Sequence, residues 1–382
     1  MRAALPPFPR GTRLLSVLLL SSVLAAAVQP SRSPLSPDVS ETGIVLDPRL
    51  VWMDTLPVGP FIKLEDGSLL TVDGTDVLAS RDDGRTWQRS PLFTDPDKYV
   101  IRMERALIRT RRNTLILAFA NDREKSPHFW DNARREPRPD IRLPTYVTRS
   151  LDGGRTWQTP LKLHDDWTGA IRDIVETDDG SIVFTTMKVL REPGRHACLT
   201  YRSIDEGATW QPSNLIDLGG HGHHDGAMEP TLVQLRDGRL WMLIRTTHDF
   251  FYEAWSADDG RTWREVGPTT IDASTAPGML QRLASGRLVL VWNRLYPEGR
   301  TDYPRRADKQ ATAVPTTRQR DELSITFSDD DGKHWSRPTV ILRSKKKDTS
   351  YPYVFEHRPG ELWITTMRGT VLVKLHEDDF IR

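Results

Sequence analysis

The sequence predicts an all-β chain folded as a six-bladed β-propeller of four-stranded antiparallel blades. Three observations carry that expectation: a phrase written five times, a hairpin pattern written six times, and helical periodicity that is almost absent. The phrase is S-x-D-x-G-x-T-W. It reads SRDDGRTW from Ser80, SLDGGRTW from Ser150, SIDEGATW from Ser203, SADDGRTW from Ser256 and SDDDGKHW from Ser328, with Ser, Asp, Gly and Trp kept in all five copies. Ser and Asp two apart can bond backbone N–H groups in a tight turn, Gly supplies a positive φ, and Thr-Trp leads into a strand whose ring packs inward.

The hairpin pattern interleaves with the phrase. Apolar residues alternate about a turn in KLEDGSLLTV from Lys63, RTRRNTLILAF from Arg109, ETDDGSIVFTT from Glu176, QLRDGRLWMLI from Gln234, RLASGRLVLVW from Arg282 and HRPGELWITT from His357. Each reads as two strands joined by a short loop. The first five are each followed by one copy of the phrase, which would join two further strands, so a unit supplies about four strands and radial closure leaves few edges. The last unit lacks its phrase, and residues near Leu46 to Val51 are expected to complete that blade and close the ring.

Length and composition agree with one closed domain. A chain of 382 residues exceeds the usual domain size, yet no Pro/Gly/Ser-rich linker divides it, and closed all-β folds often run this long. Its 12 Trp supply the large buried rings that blades need. Cys198 is the single cysteine, so no internal disulfide can form, and it is expected to be a small buried residue.

The start of the chain is written differently. Arg2, Arg10 and Arg13 precede the apolar run LLSVLLLSSVLAAA, the order of a secretory signal peptide over residues 1–27, whose apolar core is too short to span a bilayer comfortably; a retained N-terminal anchor is the alternative. Residues 28–44 are Pro/Ser-rich and read as a disordered leader, and 45–382 as the propeller. Cleavage near Ala27 would leave 50 basic against 52 acidic residues, a formal charge of −2. A nearly neutral chain has no basic stripe of the kind nucleic-acid binding requires, and no membrane span is expected in the mature chain.

The repeated phrase resembles the Asp-box of the sialidase (neuraminidase) superfamily, and the resemblance runs from about Leu46 to the C-terminus. It implies a retaining exo-glycosidase, needing no cofactor, whose partner is a glycan bearing sialic acid or a related acidic sugar. Members carry an arginine triad that clamps the sugar carboxylate, a Tyr–Glu nucleophile pair and an Asp acid/base, with the Asp-boxes away from the catalytic face. HGHHDGAMEPTLVQLRDGRLWMLIRT resembles the central motif, in which a Glu opens one strand and an Arg closes its partner sixteen residues on, as Glu229 and Arg245 do. A hairpin brings those two positions to the same blade edge on geometry alone. RDELSITFSDDDGKHW resembles the strand bearing another triad arginine, Arg320, with Arg318 as its rival on the same strand face. TSYPYVFEHRPGELWITT resembles the Tyr-bearing strand, the Tyr standing nine residues before the turn Gly, as Tyr351 stands before Gly360; Tyr353 shares its face.

The chemistry behind these residue types is coherent. An anomeric carbon that bears a carboxylate repels a carboxylate nucleophile, whereas a neutral Tyr activated by Glu avoids the repulsion. Planar guanidinium groups hold a carboxylate bidentately, which Lys cannot do.

The chain also departs from the pattern. The family's first-blade arginine has no counterpart in DTLPVGPFIKLEDGSLL, so Arg102 or Arg105 from blade two is the substitute to consider. Asp73 and Asp76 in TVDGTDVLAS fall where the acid/base is expected. In the loop His221-Gly-His223-His224-Asp225 the ligand spacing is irregular, so no metal is expected, and His224 and Asp225 are candidate sugar contacts. The insertion between Asn121 and Thr145, with Phe129 and Trp130, reads as a face loop able to stack on a sugar ring. The run from Tyr296 to Arg320 is its counterpart in blade five, and Lys345 to Lys347 reads as a solvated hairpin tip.

Overall fold

The Ser–Asp chemistry of the repeated phrase builds the same turn five times. In a computed structural model describing residues 43–381, except 298–300, 303–304, 306–311, 313–314 and 346–347, Ser80 Oγ donates to Asp82 Oδ1 (2.8 Å) and accepts from Gly84 N (2.9 Å). Asp82 in turn accepts from Thr86 N (2.9 Å) and Thr86 Oγ1 (2.6 Å). The copies at Ser150, Ser203 and Ser256 repeat this set. In the fifth copy His334 stands for Thr and gives its N–H and ring Nδ1 to Asp330 at 2.8 and 2.6 Å.

Each such turn joins the third and fourth strands of a blade. Blade one is Ile62–Lys63, Leu69–Asp73, Asp76–Ser80 and Gln88–Pro91; blade two is Ile101–Arg109, Leu115–Asn121, Thr145–Ser150 and Leu161–His164. Blade three comprises Ile174–Glu176, Ile182–Leu190, Arg195–Ser203 and Gln211–Pro212, and blade four Met228–Gln234, Leu240–Arg245, Phe250–Ser256 and Arg264–Asp272. Blade five runs Met279–Arg282, Leu288–Trp292, Glu322–Ser328 and Thr339–Ser344; blade six takes Pro352–Arg358, Glu361–Thr366 and Leu372–His376 from the C-terminal end. All six expected hairpins are the first-to-second strand connections.

Closure differs in one detail from the expectation. Val51–Trp52 pairs with Lys374 and Val373 and supplies the fourth strand of blade six, but Ile44–Leu46 pairs with Leu342–Ser344 and adds a fifth strand to blade five. The expected span from Leu46 to Val51 therefore bridges two blades, because Asp47 turns the chain between them by accepting from Arg49 N and from the Arg49 guanidinium. The signal peptide at 1–27, nearly all of the leader at 28–44, parts of the run 296–320 and two of the three lysines at 345–347 lie outside the described residues. Among those described, no helix is long and apolar enough to cross a membrane.

Blades pack through the box glycines. Gly84 (φ +79°) lies against Trp363 of blade six, where a Cβ would come within 2.8 Å of the ring, and Gly332 (φ +83°) lies against Trp241 of blade four, where a Cβ would approach to 2.6 Å. Only Gly meets both the backbone conformation and the contact distance. Cys198 is fully buried, as its composition argument required.

The box carboxylates make the turn sensitive to acid. The hydroxyl and N–H of Thr86 and the hydroxyl of Ser80 hold Asp82 down to about 2, below its ordinary 3.8. A lowered folded-state value stabilises above the unfolded value and is lost as pH falls from about 4 toward 2. We expect Asp82→Asn to unfold at lower urea than the wild type at pH 6, with the two midpoints converging at pH 2; equal midpoints at pH 6 would contradict the role.

Candidate active site

Blade geometry brings the starts of first strands and the ends of second strands to one face of the ring. Glu229 lies in the first strand of blade four and Arg245 ends the second, and Met228 pairs directly with Arg245. The register then slips between Met228 and Thr231, a bulge that frees Glu229 from the ladder and re-aims its side chain. Glu229 adopts φ +45° and Tyr351, at the entry to blade six, φ +62°. A non-glycine residue in this region carries roughly 1–3 kcal/mol of strain, which persists only when the surroundings impose it.

The two strained residues meet. Tyr351 Oη donates to Glu229 Oε1 (2.9 Å), and Arg245 Nη1 donates to Glu229 Oε2 (2.5 Å) and to Tyr351 Oη (3.1 Å). Thr275, ahead of blade five, holds both arginines: its Oγ1 bonds Arg245 Nε at 3.2 Å and its carbonyl accepts from Arg320 Nη2 at 2.7 Å. Arg320 also pairs with Asp348 at 3.3 Å and sets its guanidinium 5.5 Å from the centre of the Tyr351 ring.

Charge in this cluster is nearly all buried. Side-chain exposure is 3% for Arg245 and 12% for Glu229. Burial works against the Glu229 charge, but the Arg245 guanidinium, the Tyr351 hydroxyl and Arg320 outweigh it and hold the carboxyl below its ordinary range. Burial and the Glu229 charge push the Tyr351 phenol up, so it is neutral with an ionised carboxylate already accepting its proton.

Tyr351 opens onto a cavity of about 290 Å³ that Arg102, Met103, Glu104, Asp122, Arg320, Asp348, Ser350, Met367 and Arg368 complete. A larger cavity of about 590 Å³ is lined by first strands, with Arg172 and Asp173 among its walls, and Tyr351 is not among its lining residues. Arg172 is 1% exposed, bonds the Pro352 carbonyl at 2.6 Å, and lies 4.7 and 5.5 Å from the Tyr353 and Tyr351 ring centres.

The remaining sequence candidates fall elsewhere. Tyr353 is buried in the seam, accepting from Arg105 N and donating to the Met103 or Arg105 carbonyl at 3.0–3.1 Å; strict alternation would put it on the face of Tyr351, and the left-handed backbone at Tyr351 separates the two. Arg105 is 3% exposed and gives its guanidinium to the Met103 and Val58 carbonyls, and it does not line the cavity. Arg102 does line the cavity, bonded to Glu104 (3.0 Å), Asp122 (2.9 Å) and the Gly169 carbonyl (3.1 Å). Asp73 and Asp76 flank the hairpin between the second and third strands of blade one, both paired with Arg89, and do not line the cavity. Asp225 is buried and staples its loop by accepting from His221 N (3.1 Å) and Thr247 Oγ1 (3.3 Å). His224 Nδ1 bonds Arg318 (2.8 Å), and burial with the nearby Arg245 charge lowers its basicity strongly.

The insertion's rings are occupied as well. Phe129 stacks on Trp167 at 4.4 Å, and Phe129 and Trp130 meet His223 edge-on at 5.6 and 5.5 Å. Face-loop aromatics expected to stack on a sugar thus pack against the protein. Thr275, Glu104, Asp122 and Asp348 were not singled out from sequence, and only the YVIRMERALIRT stretch held a readable signal, the charges of Arg102, Glu104 and Arg105 inside an apolar strand.

The fold and this cluster define a six-bladed propeller of the sialidase type. A profile for the BNR repeat-like domain matches residues 72–364, and the chain belongs to that family. Solved structures with the same fold include a Dyadobacter fermentans protein of unknown function (16% identity, 87% of this chain and 98% of that one, TM-score 0.59). The Hadza microbial sialidase Hz136 aligns at 17% identity over 84% of this chain and 65% of its own, with a TM-score of 0.58. A Trypanosoma rangeli sialidase, solved as a covalent intermediate with 2,3-difluorosialic acid, aligns at 16% over 85% and 54%, TM-score 0.52. No curated protein sequence matches the chain.

Glu229 and Arg245 are a buried pair, and removing one partner strands the other's charge. Glu229→Ala is expected to cost about 3–5 kcal/mol in chemical denaturation, and Glu229→Gln, which keeps a carbonyl for Arg245 Nη1, distinctly less. Equal, small losses for both variants would contradict the pairing.

Proposed function

We propose that the protein is a retaining exo-glycosidase that hydrolyses a terminal sialic acid or a related acidic sugar. Tyr351 is the nucleophile and Glu229 its general base, while Arg245 and Arg320 bind the sugar carboxylate. The observation that carries this reading is the Tyr351 hydroxyl bonded to Glu229 and Arg245 at the wall of a cavity that Arg320 also lines. On attack the phenolic proton passes to Glu229 as the oxygen bonds the anomeric carbon, and water later hydrolyses the resulting aryl glycosidic bond to Tyr351 with retention. The T. rangeli enzyme, captured as a covalent intermediate with a sialic acid analogue, makes the same class of chemistry a natural choice for this fold.

A second enzymatic reading, a hydrolase or lyase for uronic or sulfated glycans, draws on the first blade, which gives no guanidinium to the cavity; Arg102 and Arg368 stand there from blades two and six. A non-catalytic glycan-binding propeller is the reading from another class. The charged-then-apolar start of the sequence supports secretion or periplasmic export with removal of residues 1–27, which N-terminal sequencing of the mature chain would check.

Assay of the purified protein with a fluorogenic sialoside, then with a panel of aryl uronides and sulfated glycosides, separates these readings. Tyr351→Phe is expected to lower kcat on the accepted substrate on the order of 10³-fold or more, with the wild-type unfolding midpoint retained. Undiminished turnover in that variant would remove Tyr351 from the chemistry, and binding without turnover by the wild type would favour the glycan-binding reading.

A further inference from the structure

A glycosidase needs a proton for the departing aglycone oxygen, and neither aspartate that the sequence offers lies at the cavity. Asp73 and Asp76 are held by Arg89 at the hairpin between the second and third strands of blade one. Three carboxyl groups do line the cavity with Tyr351: Asp122, Asp348 and Glu104. Asp348 is committed to Arg320, Ser350 N and Ser350 Oγ. Asp122 is paired with Arg102 and is the more exposed of that ion pair's acids, 31% against 8% for Glu104.

Glu104 is placed by a defect in its strand. The ladder of Ile101–Arg109 with Leu115–Asn121 pairs Ile101 with Asn121 and next Arg105 with Phe119, so residues 102–104 bulge out of register. A bulge of this kind turns side chains that would face a blade interior toward the ring mouth, as the slip after Met228 does for Glu229. Its facing groups are Arg102 at 3.0 Å on its own strand, Asp122 through Arg102, Arg172 from blade three, Glu229 from blade four, and Tyr351 from blade six. Arg320 and Asp348 share its cavity. Burial, the largest influence, and the Glu229 charge outweigh Arg102 and Arg172 and raise the Glu104 carboxyl, whereas Asp348 is lowered.

Resting on the Tyr351–Glu229 reading above, we infer that Glu104 is the acid/base of the reaction, the carboxyl that Asp73 or Asp76 was expected to supply. As Tyr351 Oη bonds the anomeric carbon, the glycosidic C–O bond breaks, its electron pair stays on the aglycone oxygen, and that oxygen takes the Glu104 proton. The phenolic proton has passed to Glu229. In the return half, the Glu104 carboxylate takes a proton from water, whose oxygen bonds the anomeric carbon while the bond to Tyr351 Oη breaks and Glu229 returns its proton to the phenol. One glycoside and one water give one sugar and one alcohol.

The test compares leaving groups. An alkyl or sugar aglycone needs protonation and an activated aryl group does not, so Glu104→Gln should lose about 10²–10⁴-fold on an alkyl-linked acidic glycoside. It should keep a stoichiometric pre-steady-state burst of aryl alcohol, followed by slow turnover that azide accelerates without needing a base. Glu104→Ala, should Gln disturb the Arg102 pairing, must show the same burst and the same azide rescue. Equal losses on both leaving groups without a burst, unchanged turnover on both, or the leaving-group dependence appearing in Asp76→Asn instead would overturn the assignment. Inactivity of the wild type on every acidic glycoside would remove the parent reading instead, and an active wild type with Tyr351→Phe dead but Glu104→Gln unaltered would remove this inference alone.

Discussion

The close approach of each Asp-box turn to the blade before it is the constraint on which the ring depends. The Ser hydroxyl and Asp carboxylate tie the turn into two successive left-handed residues, and the glycine that results offers a surface with no side chain for a neighbouring Trp, Leu, Ile or Val to rest on. Blade spacing is thus set by atoms at the opposite end of the blades from the Tyr351 cluster. Six similar sheets then deliver Glu229, Arg245, Arg320 and Tyr351, residues up to 122 positions apart, to one cluster.

Within that cluster electrostatics and backbone strain act together. Two positive φ values sit on the two residues that share the shortest path for a proton, and Thr275 fixes both arginines with a side chain and a carbonyl. The Glu229 carboxylate is satisfied on both oxygens, by a phenol on one and a guanidinium on the other, which lets it stay ionised despite burial. Preorganisation of this kind means little has to move for the phenol to lose its proton.

The architecture was legible because its signals are local and repeated. A turn that bonds to itself leaves the same residues at the same spacing wherever it occurs, and hairpins with alternating apolar positions do likewise. Glu229, Arg245, Arg320 and Tyr351 were legible for a related reason, since each lies at a fixed offset from a turn. What the spacing could not convey were departures from regular pairing. The bulge at residues 102–104 takes Arg102 and Glu104 out of the ladder, and the left-handed backbone at Tyr351 separates it from Tyr353, with which strict alternation would group it. Arg105, Asp225, Phe129 and Trp130 looked available only because a sequence does not display the carbonyls and rings that occupy them.

The route of residues 44–52 has a consequence for the order of assembly. This stretch is the earliest part of the propeller to be made, yet its hydrogen-bonding partners are residues 342–344 and 373–374, among the latest. Blades one to four can gather their own strands as they emerge, whereas blades five and six stay short of an edge until residues 44–52 reach them. Completion of the circle is therefore a strongly non-local event, a latch that joins neighbouring sectors with one short ribbon.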